Sequence, residues 1–128
     1  MSLAAVLFIA QSAFAAVPAG GFDGQCIYPP GLGDPRPGEV RVTCNRVELD
    51  DGGVDFVDRS WNRRMLRFAG EWDGDRLIVR TITPRTGATL EVRGLCRTYE
   101  ANEAVSVIAC TAVAGGRSWI ANFQVSRL

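Results

Sequence analysis

The chain has 128 residues with a formal net charge of +0, so it has no overall field to gather nucleic acid or an anionic membrane. It contains no histidine, and every basic side chain is an arginine. Those absences exclude Ser-His-Asp and Cys-His catalysis, histidine-based zinc sites, and lysine Schiff-base or Ser-Lys chemistry. An enzyme built from it would have to use carboxylate, tyrosine or arginine groups.

In chain order, residues 1–16 come first. An apolar run closes on Ala13-Phe14-Ala15, a small-x-small cleavage pattern, and it is too short to span a bilayer. Residues 1–16 are therefore read as a secretory signal peptide and 17–128 as one all-β domain, periplasmic or secreted. About 110 residues remain after the leader, the size of a single modest core. No transmembrane segment, N-glycosylation sequon or lipobox appears. The arginine-only basicity fits a GC-rich genome.

Ala19 to Gly24 reads as a flexible tail and Gln25 to Tyr28 as a short strand. The segment from Pro29 to Gly38 holds four of the six prolines and reads as a stiff surface loop, since proline suits neither a helix interior nor a central strand. From there, apolar segments recur about every ten residues between turn signals, the pattern of an all-β fold. The expected strands are Glu39–Leu49, Val54–Val57, Met65–Trp72, Arg76–Ile82, Thr89–Tyr99, Val105–Val113 and Ser118–Val125. Asp58 to Arg64 lacks strand character.

The turns set registers. Asp73-Gly74 as a two-residue hairpin places Phe68 opposite Val79 and Glu71 opposite Arg76. Pro84 to Gly87 places Val79 opposite Val92 and Arg80 opposite Glu91. Gly115-Gly116 places Cys110 opposite Ala121 and Ile108 opposite Phe123. These registers agree on one apolar face and one mostly charged face, which a one-residue slip would scramble. The expectation is an antiparallel up-and-down meander closing into a small barrel or a sandwich, stabilised by disulfides. Gly70, Gly94, Ala112 and Ala121 on the inner face predict a filled interior.

The register sets Cys96 beside Cys110 on one face, which leaves Cys26 to pair with Cys44 across the proline-rich loop. Each bridge closes a loop worth about 3 kcal/mol in chain entropy. No C-x-x-C spacing favours a redox or metal site.

Five residues form the candidate binding group: Arg59, Arg63, Arg64 and Arg67, with Trp61 among them. Arginine beside tryptophan can hold a carboxylate, a phosphate or a sugar face. Arg67 is expected to face Arg80, with Glu91 neutralising Arg80 and Asp55 or Asp58 serving Arg59. Of the other aromatics, Trp72 and Trp119 fall on the core face, and Trp61 is the one expected to be exposed. The acidic group Asp50, Asp51 and Asp55 lacks the spacing of an EF-hand and reads as a hairpin loop. No metal site, cofactor or catalytic residue is expected.

The layout of export signal, disulfides and strand meander is similar to that of small bacterial periplasmic β-barrel proteins that inhibit proteases or lysozymes. The likeness is one of architecture, with no motif that maps residue by residue. It implies a non-catalytic protein-binding or inhibitor-like module whose partner is another extracytoplasmic protein. The alternative is a β-barrel that binds a small ligand, an anionic sugar or lipid.

Overall fold

The computed structural model describes residues 18–126. The expected signal peptide, residues 1–16, lies outside the described residues. The strands are β1 (Gly20–Cys26), β2 (Glu39–Arg41), β3 (Arg46–Asp50), β4 (Gly53–Asp58), β5 (Arg63–Asp73), β6 (Arg76–Pro84), β7 (Leu90–Ala101), β8 (Ala104–Ala114) and β9 (Arg117–Val125). One 3-10 turn, Pro30–Leu32, sits in the proline-rich loop.

Strands β3 to β9 form a continuous antiparallel meander. Its two edges are joined by β1, which pairs with β3 through Gly20 to Asp23 and with β9 through Gly24 to Cys26. The sheet therefore closes into an eight-stranded barrel. Short β2 lies parallel to β9 and fills the gap that β1 leaves at one end. Closure removes the unpaired backbone edges on which other chains could template.

The expected tail, Ala19 to Gly24, is thus largely the closing strand β1. Gly20, Gly21 and Gly24 hide its strand character, because strand propensity reflects side-chain packing that glycine lacks. The single expected strand Glu39–Leu49 is two, β2 and β3, broken where Cys44 joins Cys26.

Register holds best where the turn is least ambiguous. Gly115 and Gly116 both take positive φ, as a two-residue type I′ turn requires, and β8 meets β9 as expected, with Cys110 opposite Ala121 and Ile108 opposite Phe123. The β5–β6 loop is instead Gly74-Asp75. Gly74 alone has positive φ, and Asp73 pairs with Arg76, so Glu71 faces Ile78 and Gly70 faces Val79. This slip of two residues keeps each side chain on its own face. Bulges at Ala69/Gly70 and Val79/Thr81 then shift the phase, so that Phe68 faces Ile82, Val79 faces Gly94 and Glu91 faces Thr81. The second bulge leaves Arg80 outward, as expected, and brings Ile82 into the core.

The interior is packed. Val47, Val54, Phe56, Phe68, Leu77, Ile82, Ile108 and Phe123 are fully buried. Phe56 and Phe68 meet edge to face at 5.7 Å between ring centroids. Both disulfides have the expected pairing, Cys26–Cys44 and Cys96–Cys110, and the second lies within the core. Trp119 is buried, and half-buried Trp72 donates its indole N–H to the Asp50 carbonyl at 2.7 Å.

Alternate turns of a meander share an end. The β4–β5, β6–β7 and β8–β9 loops lie at one end, which we call the mouth; β2 and the proline-rich loop leading into it lie there too. The β3–β4, β5–β6 and β7–β8 turns form the base.

Candidate binding site at the mouth of the barrel

The five residues singled out in the sequence separate into two environments. Arg67 lies along the barrel wall, opposite Asp55 of β4 and Thr83 of β6. Its guanidinium donates to Asp50 Oδ1 and Oδ2 at 3.0 and 2.9 Å and to Asp55 Oδ2 at 2.8 Å. The expected opposition of Arg67 and Arg80 does not occur, because the Gly74-Asp75 turn slides the register by two residues and the bulge at Ala69/Gly70 by one more. Arg80 pairs with Glu71, and not with Glu91 as expected. Arg64 Nε lies 2.7 Å from Asp55 Oδ1. Asp50 and Asp55 are thus arginine acceptors, and no group of three or more metal-ligating side chains occurs among the described residues.

The hydrogen bonds from Arg67 hold the Asp50 carboxyl below its ordinary value of 3.8. Reciprocally, the Asp50 hydrogen bond raises Arg67 above its already high value.

Arg59 and Trp61 belong to the β4–β5 turn at the mouth, and Arg63 opens β5 beside it. Asp58, Arg63 and Arg64, expected to lack strand character, are strand residues, with Arg63 opposite Asp58 and Arg64 opposite Val57. Arg59 pairs with Asp23 of β1 at 3.0 Å, and not with Asp55 or Asp58 as expected, because Asp23 lies in the closing strand. The Arg59 amide donates to Asn45 Oδ1 at 2.7 Å, and the Ser60 amide to Asp58 Oδ1 at 2.8 Å. The turn is therefore fixed at its base while its tip projects. Trp61 is 74% exposed, and exposed Arg63 forms no ion pair among the described residues.

A cleft of about 550 Å³ opens at the mouth. Its floor is apolar, formed by Val42, Met65, Leu66, Leu90 and Trp119. Arg41, Arg85 and Arg117 stand around it, and no carboxylate lines it. Arg41 donates to Glu39 at 2.6 Å and to the Gly33 carbonyl at 2.8 Å. Arg117 stacks 4.9 Å above the Trp119 ring. Arg85 and Arg117 form no ion pairs among the described residues, which leaves both guanidiniums available to an anion.

The proline-rich loop is strapped to this end. The Glu39 amide donates to the Arg36 carbonyl, and the Ser118 amide to that of Gly38, each at 2.9 Å. Tyr28 anchors its start, with its hydroxyl donating to the Val42 carbonyl at 2.6 Å and lying 3.0 Å from that of Ile120. Burial pushes the Tyr28 hydroxyl pKa up to about 12.

The sequence reading missed Arg41, Arg85, Arg117, Met65 and Leu90 as a group. The available signal was topological. Arg85 and Arg117 sit in or beside turns that an up-and-down meander places at the same end.

No family model, curated protein or solved structure matches this chain.

Proposed function

We propose that this protein is a non-catalytic, extracytoplasmic binding module whose site is the mouth of the barrel and whose ligand is a small amphipathic anion. The supporting observation is the cleft itself, with its apolar floor, its rim of Arg41, Arg85 and Arg117, and no acidic lining residue. Its volume falls in the usual range for small-molecule sites, and such sites pair an apolar lining with a few placed polar groups. Guanidinium groups match the planar geometry of a carboxylate or phosphate head. An acyl chain suits the Met65, Leu66 and Leu90 floor better than a sugar would. The two disulfides are compatible with an oxidising compartment, periplasmic or secreted. No helix among the described residues is long and apolar enough to cross a membrane.

Calorimetric titration with dodecanoate and with dodecyltrimethylammonium, which share a chain length and differ in head charge, tests this reading. Dodecanoate should bind and the cation should not. Arg85→Ala with Arg117→Ala should weaken dodecanoate binding about tenfold or more, as loss of charge-assisted hydrogen bonds implies. Equal heats from both amphiphiles, or heat from neither, would refute it.

The strapped proline-rich loop favours a second reading, an inhibitor-like module for an extracytoplasmic protein. A loop already ordered loses little entropy on docking. Inhibition of a lysozyme or serine protease that disappears when Pro30–Leu32 is replaced by Gly-Ser-Gly would support it. Unchanged inhibition, or none to begin with, would count against it.

A further inference from the structure

The formal net charge of +0 conceals a division between the two ends. The mouth carries Arg59 and Arg85 on its turns, Arg63 and Arg117 at the first positions of β5 and β9, and Arg36 in the proline-rich loop. Of these, only Arg59 is held in an ion pair among the described residues. The acids at this end without an ion pair among the described residues are Asp34, Asp58 and Glu91, and Asp58 already accepts the Ser60 amide. The base instead carries Asp51, Asp73, Asp75 and Glu103 in or beside its turns, with Glu100 nearby and exposed Arg97 opposite Arg76. Arg76 reaches Asp73 at 3.7 Å.

Distance decides whether these opposite charges cancel. The ends of an eleven-residue strand such as β5 stand about 25–30 Å apart along a barrel axis once strand tilt is included. The screening length in physiological salt is about 8 Å. A surface approaching the mouth therefore meets the arginines without the acids of the base. At the same end Trp61 projects, 74% exposed, with Arg63 close behind it, and Val40 and Leu32 also stand exposed. Tryptophan flanked by arginine is the side-chain combination that settles at a lipid–water boundary, where the ring meets the headgroup layer and the guanidinium meets lipid phosphate.

We infer that the mouth of the barrel docks end-on against an anionic bilayer surface, with Trp61 at the interface and the acidic base facing away. The arginines come from the β4–β5, β6–β7 and β8–β9 connections and the proline-rich loop around an open rim, an arrangement that matches a flat charged sheet better than a linear polyanion. The inference rests on the division of charge and on Trp61, so it stands independently of whether the cleft binds a ligand.

Vesicle flotation provides the test, with phosphatidylcholine alone and with phosphatidylcholine/phosphatidylglycerol mixtures. The protein should float with the anionic vesicles only, lose that association as salt rises, and show a blue shift in the emission that Trp61→Phe removes. Trp61→Ala with Arg63→Ala should cut partitioning about tenfold or more. Because Trp61 lies on an exposed turn and Arg63 is the exposed first residue of β5, unchanged circular dichroism and an unchanged thermal unfolding midpoint should verify the fold. Asp73→Asn with Asp75→Asn at the base should leave partitioning intact. Absence from anionic vesicles, equal binding to neutral ones, or indifference to the Trp61/Arg63 change would overturn the inference. Binding to polyglutamate with none to vesicles would overturn it in favour of an acidic protein partner.

Discussion

Arg67 shows how one side chain can hold two carboxylates together. Asp50 and Asp55 both accept from it, and the Asp55 side chain is largely withdrawn from water. Removing the guanidinium leaves two neighbouring carboxylates without a shared counter-ion. Arg67→Ala should therefore cost about 2 kcal/mol, the scale of hydrogen bonds to charged groups, read as a lower midpoint in urea unfolding. The pH dependence follows from the direction of the Asp50 shift. Its folded-state pKa lies below the ordinary 3.8, so its stabilisation is complete above that value and is lost as pH falls through the folded value. Acid unfolding of Arg67→Ala should show a shallower dependence below about pH 4 than the parent. Tyr28 has the opposite sense. Its neutral form is favoured in the fold, so its contribution is full below pH 10 and declines as pH rises towards about 12. Tyr28→Phe should cost about 1 kcal/mol at neutral pH and remove part of the alkaline loss of stability.

Among the elements, the bulges in β5 and β6 set which side chains of those strands face the core. Gly70 sits at the first bulge, where a Cβ would lie 1.8 Å from the Ile78 carbonyl oxygen. Gly70→Ala should therefore destabilise by at least about 2 kcal/mol, whereas Gly31→Ala in the open proline-rich loop should be close to neutral by thermal unfolding. Each disulfide acts on the unfolded chain by closing a short loop, 18 residues for Cys26–Cys44 and 14 for Cys96–Cys110. Replacing either pair should cost about 3 kcal/mol and lower the melting temperature by about 12 °C or more. Loss of Cys26–Cys44 should also loosen the proline-rich loop, detectable as faster proteolysis between Pro29 and Gly38.

For the molecule as a whole, the absence of histidine and lysine removes the usual switches near neutrality. Arginine remains charged across that range. If the mouth binds a carboxylate amphiphile, its affinity should be flat between about pH 6 and 9, because neither partner titrates there. A steep change across that interval in calorimetric titration would point to a site elsewhere. The same arginines should make vesicle association depend strongly on salt and weakly on pH.

The all-β class, the meander, the apolar face and the Cys96–Cys110 pairing were legible in the sequence, because each depends on period-two alternation and on turns with one acceptable geometry. Gly115-Gly116 is the clearest case, since both residues adopt the positive φ that glycine tolerates. The closing strand β1 was hidden because its glycines carry no packing signal and its partners Arg46 to Leu49 and Phe123 to Val125 are remote in sequence. The bulge that brings Ile82 into the core was hidden because phase shifts arise from the coiling of the closed sheet. The exposure of Trp61 could be expected from its place in an irregular segment, but the pairing of Arg59 with Asp23 could not. Composition alone determined which chemistries the chain lacks and that its net charge is zero. Only barrel closure decided that Arg85, Arg117 and Arg41 surround one apolar cleft and that Asp51, Asp73, Asp75 and Glu103 stand at the opposite end, because charge position depends on which turns share an end and net charge does not.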